Sequence, residues 1–488
     1  MFKRLFFKPS SEFWIVAGIF AAGLCLRLWG LGDFSLQENE ISTARRISHS
    51  FWGTITHLQH ASFPPLHFII LHVWSNFFGT SEWALRFPSA LYSALTVIVI
   101  YKLGKELFNK ETGWIAALLL ASSSFAVGNA QDAKMYALFY LLEAVSFLYF
   151  FRFVNNQQNE KITPYVISTI MCCYTMYTGL VLLLAQNVIY LMTQEKAGGR
   201  KWVVGQAVIV ASFFVWILYS VHEEQIFLGQ SPGIREYVQF CLLFFMHMIG
   251  VPPEFWPIEE WRKVLFWVNI TVYSFLIIFF VSGFLTKPSG KDEDRNPNHK
   301  HLLIWTVSSI VIYCVFDALF THLFLAVRYL GFMQLPLLLL FACQFAGFPR
   351  LIKKFIVMTM VLIAVTISCI HLKENTESPN QDWRRIATDI TRDLGEHDIV
   401  LSLLWVPIKY YYKGDPDRFF MVTPEDCSTL ALIANGILTP RVDSIFVFYK
   451  NNTPILSFDG FVLAQTVTYK KSGYMRFQRK PPENLSRQ

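Results

Sequence analysis

Long apolar segments recur along this chain and are separated by short polar loops. Stretches of roughly 18 or more mostly apolar residues are long enough to cross about 30 Å of hydrocarbon as an α-helix. The pattern therefore predicts an all-α polytopic membrane protein with about eleven transmembrane helices. The predicted crossings are residues 13–28, 83–107, 114–127, 135–154, two within 162–192, then 203–219, 265–285, 302–320, 330–348 and 355–371.

Two shorter apolar segments do not fit this pattern. Residues 64–78 are too few for a crossing, so we expect a re-entrant or interfacial helix on the outer side. Residues 238–249 precede a stretch rich in tryptophan and proline, VPPEFWPIEEW, which is typical of an interfacial cap.

Basic residues set the expected orientation. Lys3, Arg4 and Lys8 precede the first crossing, so the positive-inside rule places the N-terminus in the cytoplasm. With that choice every strongly basic loop is inside and the polar tail is exported. The expected domains are a transmembrane module over residues 1–372, with its first exported loop at 31–65, and an exported soluble domain over 373–488. A bacterial inner (plasma) membrane, with the tail periplasmic or extracellular, is the expected location.

The tail has the pattern of a small α/β domain. A helix is predicted over residues 382–394, a turn at Gly395 and a strand over 399–404. A second helix is predicted near residues 424–437 and another strand over 444–449.

Composition narrows the class of protein further. Of 488 residues 53% are hydrophobic, which is too many for an ordinary soluble protein of this size. The net charge is +7, but the basic residues lie in short loops where topology explains them, so no nucleic-acid partner is expected. Only Cys427 among the eight cysteines falls outside apolar segments, which gives neither a disulfide framework nor metal-ligand spacing.

The first exported loop carries an acidic cluster, Glu38-Asn39-Glu40, at an expected helix start. Acidic residues there suit the positive end of a helix, so helix capping is one interpretation. The other is that one carboxylate acts as a general base in a partly dry cleft, where a raised pKa suits proton abstraction.

Basic and tyrosine side chains are expected on the outer side, where the positive-inside rule disfavours the basic ones. Lipid-headgroup snorkelling explains some of them. Several converging at one site would instead bind a phosphate, because arginine offers a bidentate fork. The residues are Arg45, Arg46, Arg86, Lys134, Tyr136, Arg328 and Tyr329.

Histidines and buried acids give further alternatives. His57, His60, His67 and His72 lie close in sequence, and a site for a divalent metal ion with Glu38 or Glu40 is conceivable, although interfacial histidines are commoner; we assign no metal ligand. Glu143 and Asp317 lie within predicted crossings, where a carboxylate faces the bundle interior and suggests a transporter.

Eight stretches occur in an order that is fairly specific as a set. They are RLWGLGDFSLQENEISTARR, SFPPLHFIILHVWSNFFGTSEWALRFPSAL, AQDAKMYAL, YTGLVLLLAQ, AVRYLGFMQLPLLLL, DWRRIATDI, HDIVLS and IKYYYKG. Together they resemble the bacterial GT-C glycosyltransferases of the dolichyl-phosphate-mannose-protein mannosyltransferase and aminoarabinose-transferase superfamily. The resemblance implies the GT-C fold and an inverting glycosyltransferase that takes a sugar from a polyprenyl-phosphate donor at the outer face of the membrane.

The resemblance also assigns roles to individual residues. The family has Asp-Glu after its first span, with the aspartate as catalytic base; here Asn39 and Glu40 stand in those places. An amide cannot accept the proton, so either Glu40 or Glu38 has taken the role or the activity is lost. Lys134 stands where the family has arginine before Met-Tyr, which keeps the charge but loses the fork. Arg328 and Tyr329 match the family's Arg-Tyr near the donor phosphate.

The implied partners are a polyprenyl-phosphate-sugar donor, membrane lipids, and a lipid, glycan or protein acceptor. The donor phosphate would be bound by Arg328, Tyr329, Lys134, Tyr136 and either Arg86 or Arg45. Two alternatives stay open: a non-catalytic lipid-binding homologue, favoured by Asn39, and a polytopic lipid or ion transporter.

Overall fold

The computed structural model describes most of the membrane helices and of the tail. The described residues are 11–60, 63–155, 161–193, 198–220, 297–320, 327–377, 382–402, 407–422, 432, 435–450, 456–469 and 472–480. The predicted crossing at 265–285, the apolar patch at 238–249 and most of the predicted helix at 424–437 lie outside them.

The chain divides into two compact units by its internal contacts. The membrane unit comprises residues 1–31 and 46–371, and the C-terminal unit comprises residues 32–45 and 372–488. The sequence predicted a boundary at residue 373; the contacts also assign residues 32–45 of the first loop to the unit that contains the tail.

The described part of the chain before the tail is helical. Its helices are α1 (Ser11–Leu28), α2 (Glu38–Ile47), α3 (Phe51–His60), α4 (Leu66–Phe78), α5 (Glu82–Leu107), α6 (Lys110–Ser122), α7 (Ser124–Ala130), α8 (Tyr136–Asn155), α9 (Thr163–Cys173), α10 (Gly179–Met192), α11 (Gly199–Ser220), α12 (Pro297–Phe320), a 3₁₀ helix (Val327–Met333), α13 (Gln334–Ala346) and α14 (Arg350–Glu377).

Six described helices are long and apolar enough to cross a membrane, or seven if the bent pair α6–α7 is one span. This confirms the predicted helical membrane fold. The two crossings predicted within residues 162–192 are the short helices α9 and α10, of 11 and 14 residues. At 1.5 Å per residue they extend only about 17 and 21 Å, so neither crosses the hydrocarbon as a straight helix.

The core of the membrane unit is built on α5, which packs against α1, α6 and α8. The approach of α5 to α6 depends on glycine, because a Cβ on Gly104 would lie 2.9 Å from the Cα of Gly113. Aromatic rings fill the other side of α8, where Phe147 stacks on Trp305 with centroids 3.5 Å apart. Both side chains are fully buried.

A 58° bend separates α6 from α7, and the buried Arg27 of α1 satisfies the backbone groups that the bend exposes. Its guanidinium donates to the carbonyls of Ala121 at 2.9 Å and Leu120 at 3.1 Å, and to the Ser93 hydroxyl at 2.8 Å. Buried carbonyls freed by a helix break need such partners. The bend therefore has a defined geometry, and it directs the chain into the turn that carries Lys134.

The C-terminal unit contains a five-stranded mixed sheet with helix α15 (Trp383–Asp393) and the short helix α16 (Pro407–Tyr411). Its strands are β1 (Ile399–Ser402), β2 (Phe419–Met421), β3 (Ser444–Lys450), β4 (Phe461–Tyr469) and β5 (Ser472–Arg479), in the order β2-β1-β3-β5-β4. β1 pairs in parallel with β2 and β3, and β5 pairs antiparallel with β3 and β4.

Helix α15 packs on this sheet through its apolar face. Asp382 caps its start by accepting the backbone N–H of Arg385 at 3.2 Å. Trp383 is fully buried, with its ring 5.3 Å from that of Phe448 in β3. The predicted helix at 382–394 and the predicted strand at 444–449 are present, as is the described part of the strand at 399–404. The predicted α/β class of the tail is therefore confirmed.

Candidate active site

The acidic cluster of the first loop opens helix α2. Glu40 is 2% exposed, and its Oε2 accepts the backbone N–H of Gln37 at 2.8 Å. A glutamate three residues into a helix that bonds the N-cap N–H is one half of a capping box. Glu40 therefore caps the helix with one carboxylate oxygen.

The other members of the cluster are more open to solvent. Glu38 is half-buried and Asn39 is exposed, as is Arg45 one and a half turns further along α2. Arg46 is half-buried in the membrane unit, with its guanidinium 4.8 Å from the ring centre of Phe63. Burial lowers the pKa of Arg46 from its ordinary value.

Two residues of the tail bind the backbone of the loop that leads into α2. The guanidinium of Arg384 donates to the carbonyl of Asp33 at 2.6 Å and to that of Gly32 at 3.5 Å. The hydroxyl of Tyr411 accepts the backbone N–H of Leu36 at 2.7 Å. Arg384 and Tyr411 belong to the C-terminal unit, and so do residues 32–45. The tail therefore holds the backbone that leads into helix α2.

The membrane unit holds two of the predicted cations in buried positions. Arg86 is fully buried in α5 and donates to the carbonyl of Leu31 at 3.0 Å. Lys134 is 7% exposed in the turn after α7, and its carbonyl accepts the hydroxyl of Ser89 at 3.4 Å. A buried cation is costly in a membrane protein, so both residues stay candidates for the predicted phosphate site.

Two of the predicted tyrosines lie together in the same unit. Tyr136, at the first turn of α8, is buried, and its ring centre is 6.1 Å from that of Tyr329 in an edge-to-face arrangement. Arg328 belongs to the same 3₁₀ helix as Tyr329, but its side chain lies outside the described part of the structure. The contact between Tyr136 and Tyr329 therefore brings the segment Lys134-Met135-Tyr136 next to the segment Arg328-Tyr329.

His67 is a neighbour of Lys134 that the sequence did not single out for the phosphate site. It is 2% exposed, and its ring bonds the backbone of Ala133. Burial, with the charge of Lys134 as a smaller cause, lowers the pKa of His67 to about 3. Its Nε2 has no hydrogen-bond partner among the described residues. A neutral imidazole beside a lysine can bind a hydroxyl of a ligand without adding charge.

His57 and His72 have local structural contacts, whereas the side chain of His60 lies outside the described part of the structure. His57 stacks on His49 with ring centres 4.0 Å apart, and a ring nitrogen of His72 lies 2.8 Å from the carbonyl of Ile47. Within the described ranges no three histidine, cysteine, aspartate or glutamate residues are grouped as metal ligands.

Glu143 lies inside α8 and is fully buried. Neither of its carboxyl oxygens has a hydrogen-bond partner in the described part of the chain. Asp317, the second acid proposed for a transport pathway, is on α12 and its side chain lies outside the described part. The structure therefore describes the side chain of one of the two acids, and the transporter alternative stays a prediction.

The chain is similar to known proteins in part of its sequence and in its fold. Residues 62–222 match the family model described as dolichyl-phosphate-mannose-protein mannosyltransferase, and this range contains His67, Arg86, Lys134 and Tyr136. No curated protein sequence matches the chain.

Two solved structures resemble nearly the whole chain in fold. ArnT from Cupriavidus metallidurans bound to undecaprenyl phosphate aligns with a TM-score of 0.60 at 12% identity, over 96% of this chain and 98% of that one. The apo state of the same protein aligns with a TM-score of 0.59 at 13% identity, over the same shares of the two chains. The predicted GT-C fold is confirmed.

Proposed function

We propose that this protein is a glycosyltransferase that moves a sugar from a polyprenyl-phosphate donor to an acceptor at the outer face of the membrane. The observation that carries the proposal is the buried lysine of Lys134-Met135-Tyr136, a segment inside the range matched by the family model. A similar fold holds undecaprenyl phosphate in ArnT, which supports a donor of that chemical class.

The acidic cluster supplies the proton acceptor in this mechanism. Glu40 is the leading base and Glu38 the second candidate, because the amide of Asn39 cannot accept a proton. One oxygen of Glu40 accepts the N–H of Gln37, which fixes the position of the carboxylate. Low exposure keeps bulk water from competing for the proton.

Transfer in a single displacement inverts the anomeric centre. The acceptor oxygen attacks the anomeric carbon as its proton passes to the carboxylate, and the bond from that carbon to the phosphate oxygen breaks. The electron pair leaves on the lipid phosphate, whose negative charge grows in the transition state. Lys134 and Arg328 offset that charge, with Arg86 or Arg45, while Tyr136 and Tyr329 donate hydrogen bonds.

Substitution of the acidic residues by glutamine tests the proposal. Glu40→Gln keeps an oxygen that can accept the Gln37 N–H but cannot take a proton, so helix α2 stays capped while the base is removed. We expect sugar transfer to fall by about 100-fold or more, since general-base catalysis contributes roughly 10²–10⁴. The assay is transfer from a panel of radiolabelled undecaprenyl-phosphate-linked sugars in proteoliposomes.

Matched variants separate the roles of the three residues. If Glu40→Gln keeps its activity and Glu38→Gln loses it, Glu38 is the base. If both single variants and the double variant transfer sugar as well as the wild-type protein, the mechanism is wrong. Asn39→Asp restores the residue of the family pattern and is expected to raise the rate.

A second candidate is a non-catalytic lipid-binding homologue. It is favoured by Asn39 and by the capping bond of Glu40, which gives that carboxylate a structural role. It predicts that the purified protein binds polyprenyl phosphate without transferring sugar from any donor, and that Asn39→Asp alone creates activity. We propose the bacterial inner membrane as the location of the protein.

A further inference from the structure

A shallow groove of about 370 Å³ runs along the membrane unit between α9 and α11, and the described residues that line it include none of the candidate site residues. Its walls are apolar and come from both helices: Ile162 and Val166 on one side, Val204 and Val208 on the other. Val204 is 56% exposed and Val208 is 47% exposed. Among the described residues, the two valines on the α11 side of the groove are therefore open to the outside.

A glycine forms the floor of the groove. Gly205 is buried, and a Cβ at that position would lie 3.0 Å from Cδ1 of Ile162 and 3.1 Å from Cγ2 of Val166. Any larger residue would narrow the space between α9 and α11. From Lys201 to Val208 the groove follows about 10 Å of helix, at 1.5 Å per residue.

One end of the groove is basic. Arg200 and Lys201, in the first turn of α11, line it there, and both are exposed. α11 is one of the helices long and apolar enough to cross a membrane, and only 28% of its most apolar window is buried inside the protein. Its first turn therefore lies at headgroup depth while its exposed valines face the hydrocarbon.

We infer that this groove binds one anionic phospholipid. The phosphate is bound by Arg200 and Lys201, and an acyl chain lies over Gly205 between the valines of α11 and the side chains of α9. The basic end of the groove matches the anionic headgroup of such a lipid, and the apolar walls match its acyl chain. Both parts follow each other in the same order along the membrane normal. Basic pockets between membrane helices recognise anionic headgroups by the same chemistry.

Ordinary snorkelling accounts for the basic pair but not for the groove. A snorkelling lysine or arginine needs only an interface, and any headgroup serves it. A bound lipid additionally needs apolar walls that continue from the charges into the membrane, and here the absence of a side chain at Gly205 makes room for them. Lipid binding should therefore depend on the charges and on the groove separately.

The test is native mass spectrometry of the full chain, with phosphatidylglycerol or phosphatidylcholine added to the detergent-purified protein. We expect one phosphatidylglycerol to be retained by the wild-type protein and its affinity to fall about 30-fold in the double variant Arg200→Ala/Lys201→Ala, or about 2 kcal/mol at 1.4 kcal/mol per tenfold. Val208→Trp fills the groove from an exposed position and keeps both charges. It should weaken binding by about tenfold or more.

The control removes the same charge from another apolar helix. Arg350 and Lys354 are exposed at the start of α14, and the double variant Arg350→Ala/Lys354→Ala should bind the lipid as the wild-type protein does. The inference is overturned if this control loses as much affinity, if Val208→Trp loses none, or if phosphatidylcholine binds equally well.

A photo-crosslinking residue at position 208 identifies what covers the groove. Crosslinks to lipid in native membranes support the inference. Crosslinks to a peptide of this same chain would mean that protein covers the groove, and the inference would then be wrong. Because the donor-binding residues are not altered, retained sugar transfer in the groove variants keeps this test separate from that of the proposed function.

Discussion

Removal of the Tyr411 hydroxyl tests a hydrogen bond between the tail and the loop that carries the acidic cluster. That oxygen accepts the N–H of Leu36 at 2.7 Å, and Leu36 is 1% exposed. Tyr411→Phe leaves the ring in place and withdraws the acceptor, so a buried N–H loses its bond. An unsatisfied buried donor costs about 1–3 kcal/mol.

Leu36 immediately precedes Gln37, the residue whose N–H is bound by Glu40. Loss of the Tyr411 bond therefore loosens the start of α2 and the carboxylate proposed as base. If the whole cost falls on the transition state, kcat for sugar transfer drops by about 5- to 150-fold. KM for the donor should stay within about twofold, because most residues proposed to bind its phosphate lie in the membrane unit.

Steady-state transfer kinetics in proteoliposomes measure both constants. Tyr412→Phe is the matched control: it removes the same atom from the next residue, whose hydroxyl donates only a long 3.4 Å bond to the carbonyl of Asp415 in its own turn. The reasoning fails if Tyr411→Phe keeps the wild-type kcat, or if Tyr412→Phe lowers kcat equally.

Three further substitutions test other parts of the structure. Arg27→Met removes the side-chain donor of the Ala121 carbonyl and one of the two donors of the Leu120 carbonyl, which keeps the N–H of Ser123 at 3.3 Å. We therefore expect a loss of about 2–4 kcal/mol in unfolding free energy by thermal melting in detergent, with Arg27→Lys intermediate. The folded pKa of His67, about 3, lies below its unfolded value near 6.5, so its contribution to stability is complete above pH 6.5 and is lost as the pH falls toward 3. Between pH 6.5 and pH 5 that loss is about 2 kcal/mol in the wild-type protein, and His67→Gln should abolish this part of the acid sensitivity. Lys134→Met should raise KM for the polyprenyl-phosphate donor and lower kcat/KM by about tenfold or more, whereas Lys134→Arg, the family residue, should retain transfer.

Much of the membrane fold could be predicted from apolar length, because a crossing helix must be about 20 residues long and apolar. The 58° bend at Ser123 could not, since the donors that stabilise it come from Arg27 and other distant residues. In the tail, β5 alternates apolar with polar residues weakly, and β4 is largely exposed, so neither gave a strong strand pattern.

The candidate site was predictable in its residue types but not in its contacts. Lys134 and Tyr136 were identified by resemblance, and the capping role of Glu40 was one of the two interpretations of its position. Arg384 and Tyr411 occur in matching stretches of the tail, but their bonds to the first loop span 351 and 375 residues. Local patterns carry no information about such distant pairs. His67 was noticed only as one of several histidines, because its proximity to Lys134 depends on how α4 packs.

The bend between α6 and α7 also constrains how the protein is made. The amide of Gln334 donates to the hydroxyl of Ser123, the residue at the bend, at 2.7 Å, and it is synthesised 211 residues later. At ribosomal speeds of about 5–20 residues per second, about 10–40 seconds pass between the synthesis of Ser123 and that of Gln334. Until then the bend lacks one of its side-chain contacts, so we expect changes at Ser123 to affect insertion and folding more than the stability of the folded protein.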